Sequence, residues 1–428
     1  MQRRRRKLEG LTAEYAEYAE RRLLLGSTSV CSAYSAVPYS SRCWSAFRVL
    51  GAFCFAVGLA AASPAVSVTP KEYFVSPSGC ATNAGTELSP WPSIETALSK
   101  ISGGDIVTLM PGTYAEAVVI EVSGTLDFPT VLRSQRKWEA IIKGPPSHGI
   151  YTADGVTNVL IDGLQVAEAQ IDGIKVGSFA TVRNCWIHHS TRQGISAHRT
   201  RRTTLEYNLI EHNGTDPAFD HGIYLSGTND VVRGNVIRWN KTYGCQIYYD
   251  PPASSSGCQF YNNLVYGNRN ALTVWSPGGQ TNYVFNNTLI SGRYVLIANG
   301  GTLCVTNNIL IGVKRRQVLC AEDGAIIRGD YNLTPVPGKQ RGPHDVVAAK
   351  PGFVKPGAGL YWLRSDSPAW GSAAEHMGPP VDFFGRKQSR VLSVGAFPFR
   401  GRLASDTRVL DPSPARPDYW ATNLTARP

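Results

Sequence analysis

The chain has 428 residues, a formal net charge of +11 and 18% charged side chains. Its 42 glycines and three methionines argue against a helical bundle, because glycine costs about 1 kcal/mol at a helix-interior position. The composition therefore predicts an all-β protein, and the length is sufficient to bury a large core.

The amino terminus has the pattern of an export signal. Residues 1–47 open with a basic run, RRRRK at 3–7, and we interpret them as a leader or a misassigned start. Residues 49–62 are apolar, too short to span a bilayer comfortably, and precede small residues and Pro64. We therefore predict a signal peptide at 48–65 and a secreted, periplasmic or cell-surface protein. A membrane anchor is the alternative.

The charge of the remaining chain indicates the kind of partner. The segment through Arg48 contains nine Arg or Lys and four Glu, so the rest of the chain carries +6. A basic exported protein suits an acidic polysaccharide, although a solvated basic surface without such a partner is the simpler alternative. Export and the lack of a recognisable binding motif disfavour nucleic acid. We expect a monomer with no membrane span after signal cleavage.

A repeat of asparagine followed by apolar residues predicts the architecture. It recurs at Asn208, Asn235, Asn263, Asn287 and Asn308, with spacings of 27, 28, 24 and 21 residues. Short β-branched strands repeating at this interval are typical of one coil of a parallel β-helix. Stacked coils would place these asparagines in an internal ladder of amide hydrogen bonds.

A second repeat, Gly-Ile-x-apolar, marks another strand of each coil. Because side chains alternate along a strand, the apolar members should point inward. The predicted core residues are Ile174, Val176, Ile195, Ile223, Leu225, Ile247, Leu272 and Val274.

The segments before the repeats predict a strand, a short helix around residues 92–101 that plugs the open end of the stack, and a first coil. They include YFVSPSG at 73–79, NAGT at 83–86 and GDIVTLMPGTY at 104–114. These segments, and the closing ones at 363–368, 382–386 and 394–397, resemble the pectate-lyase-like superfamily of right-handed parallel β-helix proteins.

The resemblance implies a single-stranded right-handed parallel β-helix over residues 70–400, with a disordered tail at 401–428. It also implies one of several functions, because the superfamily includes lyases, glycosidases, epimerases and noncatalytic surface proteins. Such a scaffold specifies the fold and leaves the reaction open.

Alignment of the Gly-Ile strands brings the outward side chains into columns that can share one sugar-sized surface. We expect His198, Gln246, Tyr248 and Trp275 to bind substrate there, since aromatic faces stack on sugars. The alternative is that the polar residues satisfy turns and the rings stack on one another.

For a lyase acting on a uronate-containing glycan, which we favour, the resemblance requires a base and a cation that neutralises the carboxylate. Lys175 or His221 could be the base, and Tyr224 could protonate the leaving oxygen. Asp172 and Asp220, with Glu211, are candidate Ca²⁺ ligands. The sequence has no close match to the calcium-binding aspartate clusters of the pectate lyases, which puts the metal in doubt.

Two other functions remain open. An inverting glycoside hydrolase needs two separated carboxyl groups, for which Asp172 and Asp220 lie two coils apart in the alignment. The chain lacks the adjacent aspartates of the β-helical polygalacturonases, so hydrolysis ranks below lysis. A nonenzymatic glycan-binding scaffold would need only the aromatic and basic columns.

Overall fold

The computed structural model describes residues 69–251, 254–312, 318–338, 340–374, 383 and 393–397. The predicted leader, signal peptide and carboxy-terminal tail lie outside these residues, and their boundaries stay predictions. All described residues belong to one compact unit, Ser67–Pro428.

Three parallel sheets wind around a common core, and from β2 to β30 the strands enter the three sheets in regular turn. Sheet A has eleven strands: β1 (Glu72–Val75), β2 (Ile106–Leu109), β5 (Thr130–Ser134), β8 (Val159–Asp162), β11 (Thr181–Arg183), β14 (Thr204–Glu206), β17 (Val231–Arg233), β20 (Gln259–Tyr261), β23 (Thr281–Phe285), β26 (Thr302–Thr306) and β29 (Ile326–Asp330).

Sheet B contains the Gly-Ile strands. Its nine members are β4 (Val118–Ile120), β7 (Ile150–Thr152), β10 (Ile174–Val176), β13 (Ile195–Arg201), β16 (Ile223–Thr228), β19 (Tyr243–Ile247), β22 (Asn270–Trp275), β25 (Tyr294–Asn299) and β28 (Leu319–Glu322).

Sheet C completes each coil. Its eleven strands are β3 (Gly112–Tyr114), β6 (Ala140–Lys143), β9 (Gln165–Ala167), β12 (Trp186–His188), β15 (Leu209–Glu211), β18 (Val236–Arg238), β21 (Leu264–Tyr266), β24 (Thr288–Ser291), β27 (Ile309–Gly312), β30 (Leu333–Thr334) and β31 (Val346–Val347).

Within the described residues, two short helices and one hairpin lie outside the three sheets. Helix α1 (Ile94–Leu98) begins at Ser93, whose side chain accepts the backbone N–H of Thr96 as an N-cap. It buries Ile94 and Ala97 in the same core as the first strands. Near the other end, a 3-10 helix (Pro356–Ala358) joins β32 (Phe353–Lys355) to the antiparallel β33 (Leu360–Leu363). No helix in the described part of the chain is both long and apolar enough to cross a membrane.

The interior confirms the predicted inward set. All eight predicted core residues are at most 2% exposed and belong to one apolar cluster. The glycines that precede β7, β10, β13 and β16 allow the coils to approach closely, since a Cβ at Gly194 would lie 2.6 Å from the carbonyl oxygen of Gly222. That contact explains why the repeat begins with glycine.

The predicted asparagine ladder is confirmed. The Nδ2 group of Asn235 donates to Oδ1 of Asn263 at 3.0 Å, and Asn208 donates in the same way to Asn235 at 3.0 Å. The series continues through Asn287 and Asn308. Each rung also receives a backbone N–H from the coil before it, so a buried polar residue satisfies the turn at every level.

A second ladder, not predicted from the sequence, follows sheet C at the turn toward sheet B. The Nδ2 group of Asn213 donates to Oδ1 of Asn240 at 3.0 Å, and Asn240 donates to Asn268 at 3.2 Å. All three are at most 3% exposed. Both polar turns of these coils are therefore closed by amides stacked along the helix axis.

The carboxy-terminal segment covers the outside of sheet C. Phe383, Ala396 and Phe397 form one buried cluster with Leu209 and other outward apolar residues of that sheet. The parallel coils themselves end at Val347. Sheet C is consequently covered over this region, whereas most of the predicted site residues lie on or beside the strands of sheet B.

Candidate functional site

The register of sheet B confirms the predicted outer column. Lys175 pairs with Ser196, Ser196 with Tyr224, and Tyr224 with Gln246. Successive rows lie about 4.8 Å apart. Residues more than 20 positions apart in the sequence therefore lie side by side on one surface, which we name the sheet B face.

Three rings form a strip along this face, which we name the aromatic strip: Tyr224, Tyr248 and Trp275. The ring centroids of Tyr224 and Tyr248 are 6.2 Å apart, and those of Tyr248 and Trp275 are 5.6 Å apart. Two histidines flank its first member, with His198 at 6.1 Å and His221 at 6.4 Å from Tyr224. The structure thus brings five of the predicted site residues together.

His221 is covered, although its column was expected to face outward. It is 2% exposed, its ring lies 5.0 Å from that of Tyr243, and its backbone N–H donates to Oε1 of Gln193 at 2.7 Å. Burial lowers the pKa of His221 to about 3, against a smaller opposing effect of the hydrogen bond with Gln246. His221 is therefore a neutral imidazole at neutral pH and a weak base.

Gln246 lies directly beside Tyr224 on the next strand and is 5% exposed. Its hydrogen bond with the ring of His221 places it within the polar floor of the face. A buried amide of this kind orients the neighbouring rings and offers little of its own surface to a ligand.

Lys175 lies away from the strip. It is two rows from Tyr224, about 9.6 Å at the usual strand spacing. Its ammonium lies 5.4 Å from the ring centroid of Tyr151 in the preceding coil, and the ring of His148 lies 5.6 Å from that same ring. The structure therefore groups Lys175 with Tyr151 and His148, at one end of the face.

The two predicted acidic ligands serve turns. Asp172 accepts the backbone N–H of Gln193 at 3.1 Å, and burial raises its pKa to about 6. Asp220 accepts the backbone N–H groups of Thr215 at 2.8 Å and Asp216 at 2.6 Å, closing the loop that precedes β16.

The donor set of these residues does not fit a Ca²⁺ site. Among the residues that the structure describes, no three His, Cys, Asp or Glu side chains are placed to hold a metal ion. Glu211, the third candidate, instead accepts hydrogen bonds from Trp186 at 2.9 Å and Arg238 at 2.5 Å on the outside of sheet C. No calcium-dependent step is therefore assigned to Asp172 or Asp220.

Sequence reasoning missed Asp250. Its Oδ2 lies 2.6 Å from Nε2 of His198 and 3.2 Å from Nε of Arg199. Asp250 follows β19 in a connection outside the repeat columns, so no alignment of strands could include it. The one signal available was an aspartate close after two tyrosines at the end of an outward-facing strand.

Fold and register together define the class: a parallel β-helix with an aromatic and polar outer face on one sheet. Residues 73–270 match the family model described as the Pel9A-like, right handed beta helix region. This match confirms the predicted resemblance to the pectate-lyase-like right-handed parallel β-helix proteins. No curated protein matches the sequence.

Among the solved structures that match in fold, two illustrate the similarity. The crystal structure of pectate lyase Pel9A superposes with a TM-score of 0.59 at 14% identity, covering 78% of this chain and 98% of that one. XylC in complex with xylose gives 0.52 at 12% identity, covering 76% and 98%. At these identities the likeness establishes the fold, a right-handed parallel β-helix.

Proposed function

We propose that this protein is exported, binds an acidic polysaccharide along the sheet B face, and cleaves it as a lyase. The aromatic strip is the observation that carries the proposal. Tyr224, Tyr248 and Trp275 lie on three successive coils, so a sugar chain running parallel to the helix axis meets a ring at every row. The fold of a pectate lyase supports the same reading.

Lys175 supports the choice of an acidic glycan. Its position about two rows from Tyr224 suits an ammonium that binds the carboxylate of a neighbouring sugar unit. This separation favours a binding role over that of the base. The +6 charge of the chain after Arg48 strengthens the attraction for a uronate polymer.

The chemistry of such a lyase is a β-elimination. A base removes the proton from the carbon that bears the carboxylate, the electron pair forms a carbon–carbon double bond, and the bond to the glycosidic oxygen breaks. The leaving oxygen then takes up a proton, and the phenol of Tyr224 is the donor in this proposal. The ring of neutral His221 lies 6.4 Å from the Tyr224 ring and nearly parallel to it, and Gln246 pairs with Tyr224 on the next strand.

The test is incubation of the purified protein with polygalacturonate, alginate and neutral xylan, following the ultraviolet absorbance of the unsaturated product. We expect product from an acidic polymer, and parallel reactions with and without EDTA test whether a metal is required. Tyr224→Phe, which removes only the hydroxyl, should lower the rate by about 10²–10⁴-fold, the usual contribution of a general acid. Tyr283→Phe is the matched control, since Tyr283 is an exposed tyrosine on sheet A.

A noncatalytic glycan-binding scaffold is the second candidate. The burial of His221, together with only 8% exposure of Tyr224, favours it, because both groups then serve mainly to rigidify the face. Glycan binding with neither unsaturated product nor new reducing ends would support this function. Reducing ends without unsaturation would instead indicate a hydrolase.

A further inference from the structure

His198 is aimed by an irregularity of its strand. The register between β13 and β16 shifts between His198 and Thr200, and Arg199 has a φ of 54° in the left-handed region. Bulges of this kind commonly re-aim a side chain beside a functional site. Here the bulge turns His198 and Arg199 toward the connection that carries Asp250.

Asp250 holds His198 in one orientation. The 2.6 Å contact from Nε2 of His198 to Oδ2 of Asp250 is a short, charge-assisted hydrogen bond. Arg199 binds the same carboxylate oxygen at 3.2 Å, so the acceptor itself is fixed. In a neutral imidazole whose Nε2–H donates to this carboxylate, the lone pair is on Nδ1.

We infer that His198 is the base of the proposed elimination and that Asp250 is its positioning residue. This inference rests on the proposed lyase function. Nδ1 of His198 takes the proton from the carbon next to the carboxylate, and that electron pair forms the new double bond as the glycosidic bond breaks. Tyr224, 6.1 Å away between ring centroids, gives its proton to the leaving oxygen. Solvent then returns both groups to their starting states.

Exposure separates His198 from the two bases expected from the sequence. The side chain of His198 is 18% exposed, whereas His221 is 2% exposed and kept neutral by burial. Lys175 is two rows from Tyr224, while His198 is on the adjacent strand. Of these three described candidates, His198 alone combines partial exposure, a carboxylate partner for its Nε2 and a place on the strand next to Tyr224.

The experiment compares His198→Ala, Asp250→Asn and a matched control in the full-length protein acting on polygalacturonate and alginate. The control is Asp330→Asn, because Asp330, the last residue of β29 on sheet A, forms a comparable 2.8 Å pair with His344. We expect His198→Ala and Asp250→Asn each to lower kcat by about 10²–10⁴-fold with little change in KM. Asp330→Asn should leave both parameters unchanged.

Two further readouts distinguish chemistry from structure. Added imidazole should restore part of the rate of His198→Ala, which a merely structural role would not allow. Nitrogen-15 NMR should show the Nε2–H tautomer of His198 in the parent protein and a mixture in Asp250→Asn. An active enzyme whose kcat is unaffected by either substitution, or a His198→Ala variant that imidazole cannot rescue, would overturn the inference.

The inference and the proposed function fail in different ways. A protein that gives no unsaturated product from any acidic polymer refutes the lyase, and the base assignment with it. An active lyase with a normal rate in Asp250→Asn refutes only the positioning role. In that case the proposed function stands.

Discussion

Replacing Asn235 by Ala should break the first asparagine ladder at its centre. The side chain donates to the carbonyl oxygens of Leu205 and Arg233 at 2.9 and 3.0 Å, and its Oδ1 accepts the backbone N–H of Asn208 at 3.0 Å. The site is fully buried, so water cannot replace these bonds. A buried donor left unsatisfied costs about 1–3 kcal/mol.

The loss of the two carbonyl contacts adds to the orphaned N–H of Asn208. We therefore expect the free energy of unfolding to fall by about 2–4 kcal/mol, measured by urea denaturation followed by circular dichroism. Asn240→Ala should cost a similar amount, because Asn240 makes the equivalent bonds to Ile210 and Arg238 in the second ladder. Gln259→Ala, at an exposed amide on sheet A, should change stability by less than about 0.5 kcal/mol. If Asn235→Ala behaves like Gln259→Ala, the ladders do not stabilise the stack as argued.

Four other outcomes are expected. Ile223→Asp should abolish soluble folded protein, because an unpaired carboxylate in this fully buried position costs several kcal/mol. Ile326→Asp should still fold, because Ile326 is exposed. A folded Ile223→Asp protein would contradict the assignment of Ile223 to the core. Lys175→Ala should weaken binding of acidic glycans more than neutral ones, and the difference should shrink as salt is added; titration calorimetry at two ionic strengths tests this. Burial lowers the pKa of His221 to about 3 in the folded protein, whereas the imidazole of the unfolded chain has a pKa of about 6.5. As pH falls from about 6.5 toward 3, the unfolded chain binds a proton that the folded protein does not, so this group destabilises the fold. The raised pKa of Asp172, about 6, acts in the opposite sense and destabilises the fold as pH rises from about 4 to 6. Denaturation of His221→Gln and Asp172→Asn across this range should remove one slope each, and unchanged slopes would refute the assignments.

The fold was predictable from the repeats because each repeated residue type meets a structural requirement that recurs in successive coils. Asparagine at the turn after sheet A is needed to satisfy the backbone of the preceding coil, and glycine before sheet B is needed for close approach. The second ladder followed the same rule, with Asn213, Asn240 and Asn268 spaced at 27 and 28 residues. That signal was present in the sequence and was overlooked because the following residues do not share one pattern.

The site was less predictable because alternation along a strand fixes only the direction of a side chain. It placed Tyr224 and His198 on the outer face of sheet B. It could not show that the rings of Tyr224 and Tyr243 cover His221, since covering depends on rotamers of neighbouring coils. Asp250 comes from a connection of irregular length, and its approach to His198 depends on a bulge that no periodicity encodes.

The residue-for-residue register of sheet B has a consequence for how such a protein can change its substrate. Each coil adds one row of side chains, and a row is about as tall as a sugar unit is long. Gain or loss of a whole coil between Lys175 and Tyr224 would move the carboxylate contact by one sugar and leave every strand pairing intact. The number of coils between the two contacts would thus determine which sugar unit of the polymer must carry the carboxylate.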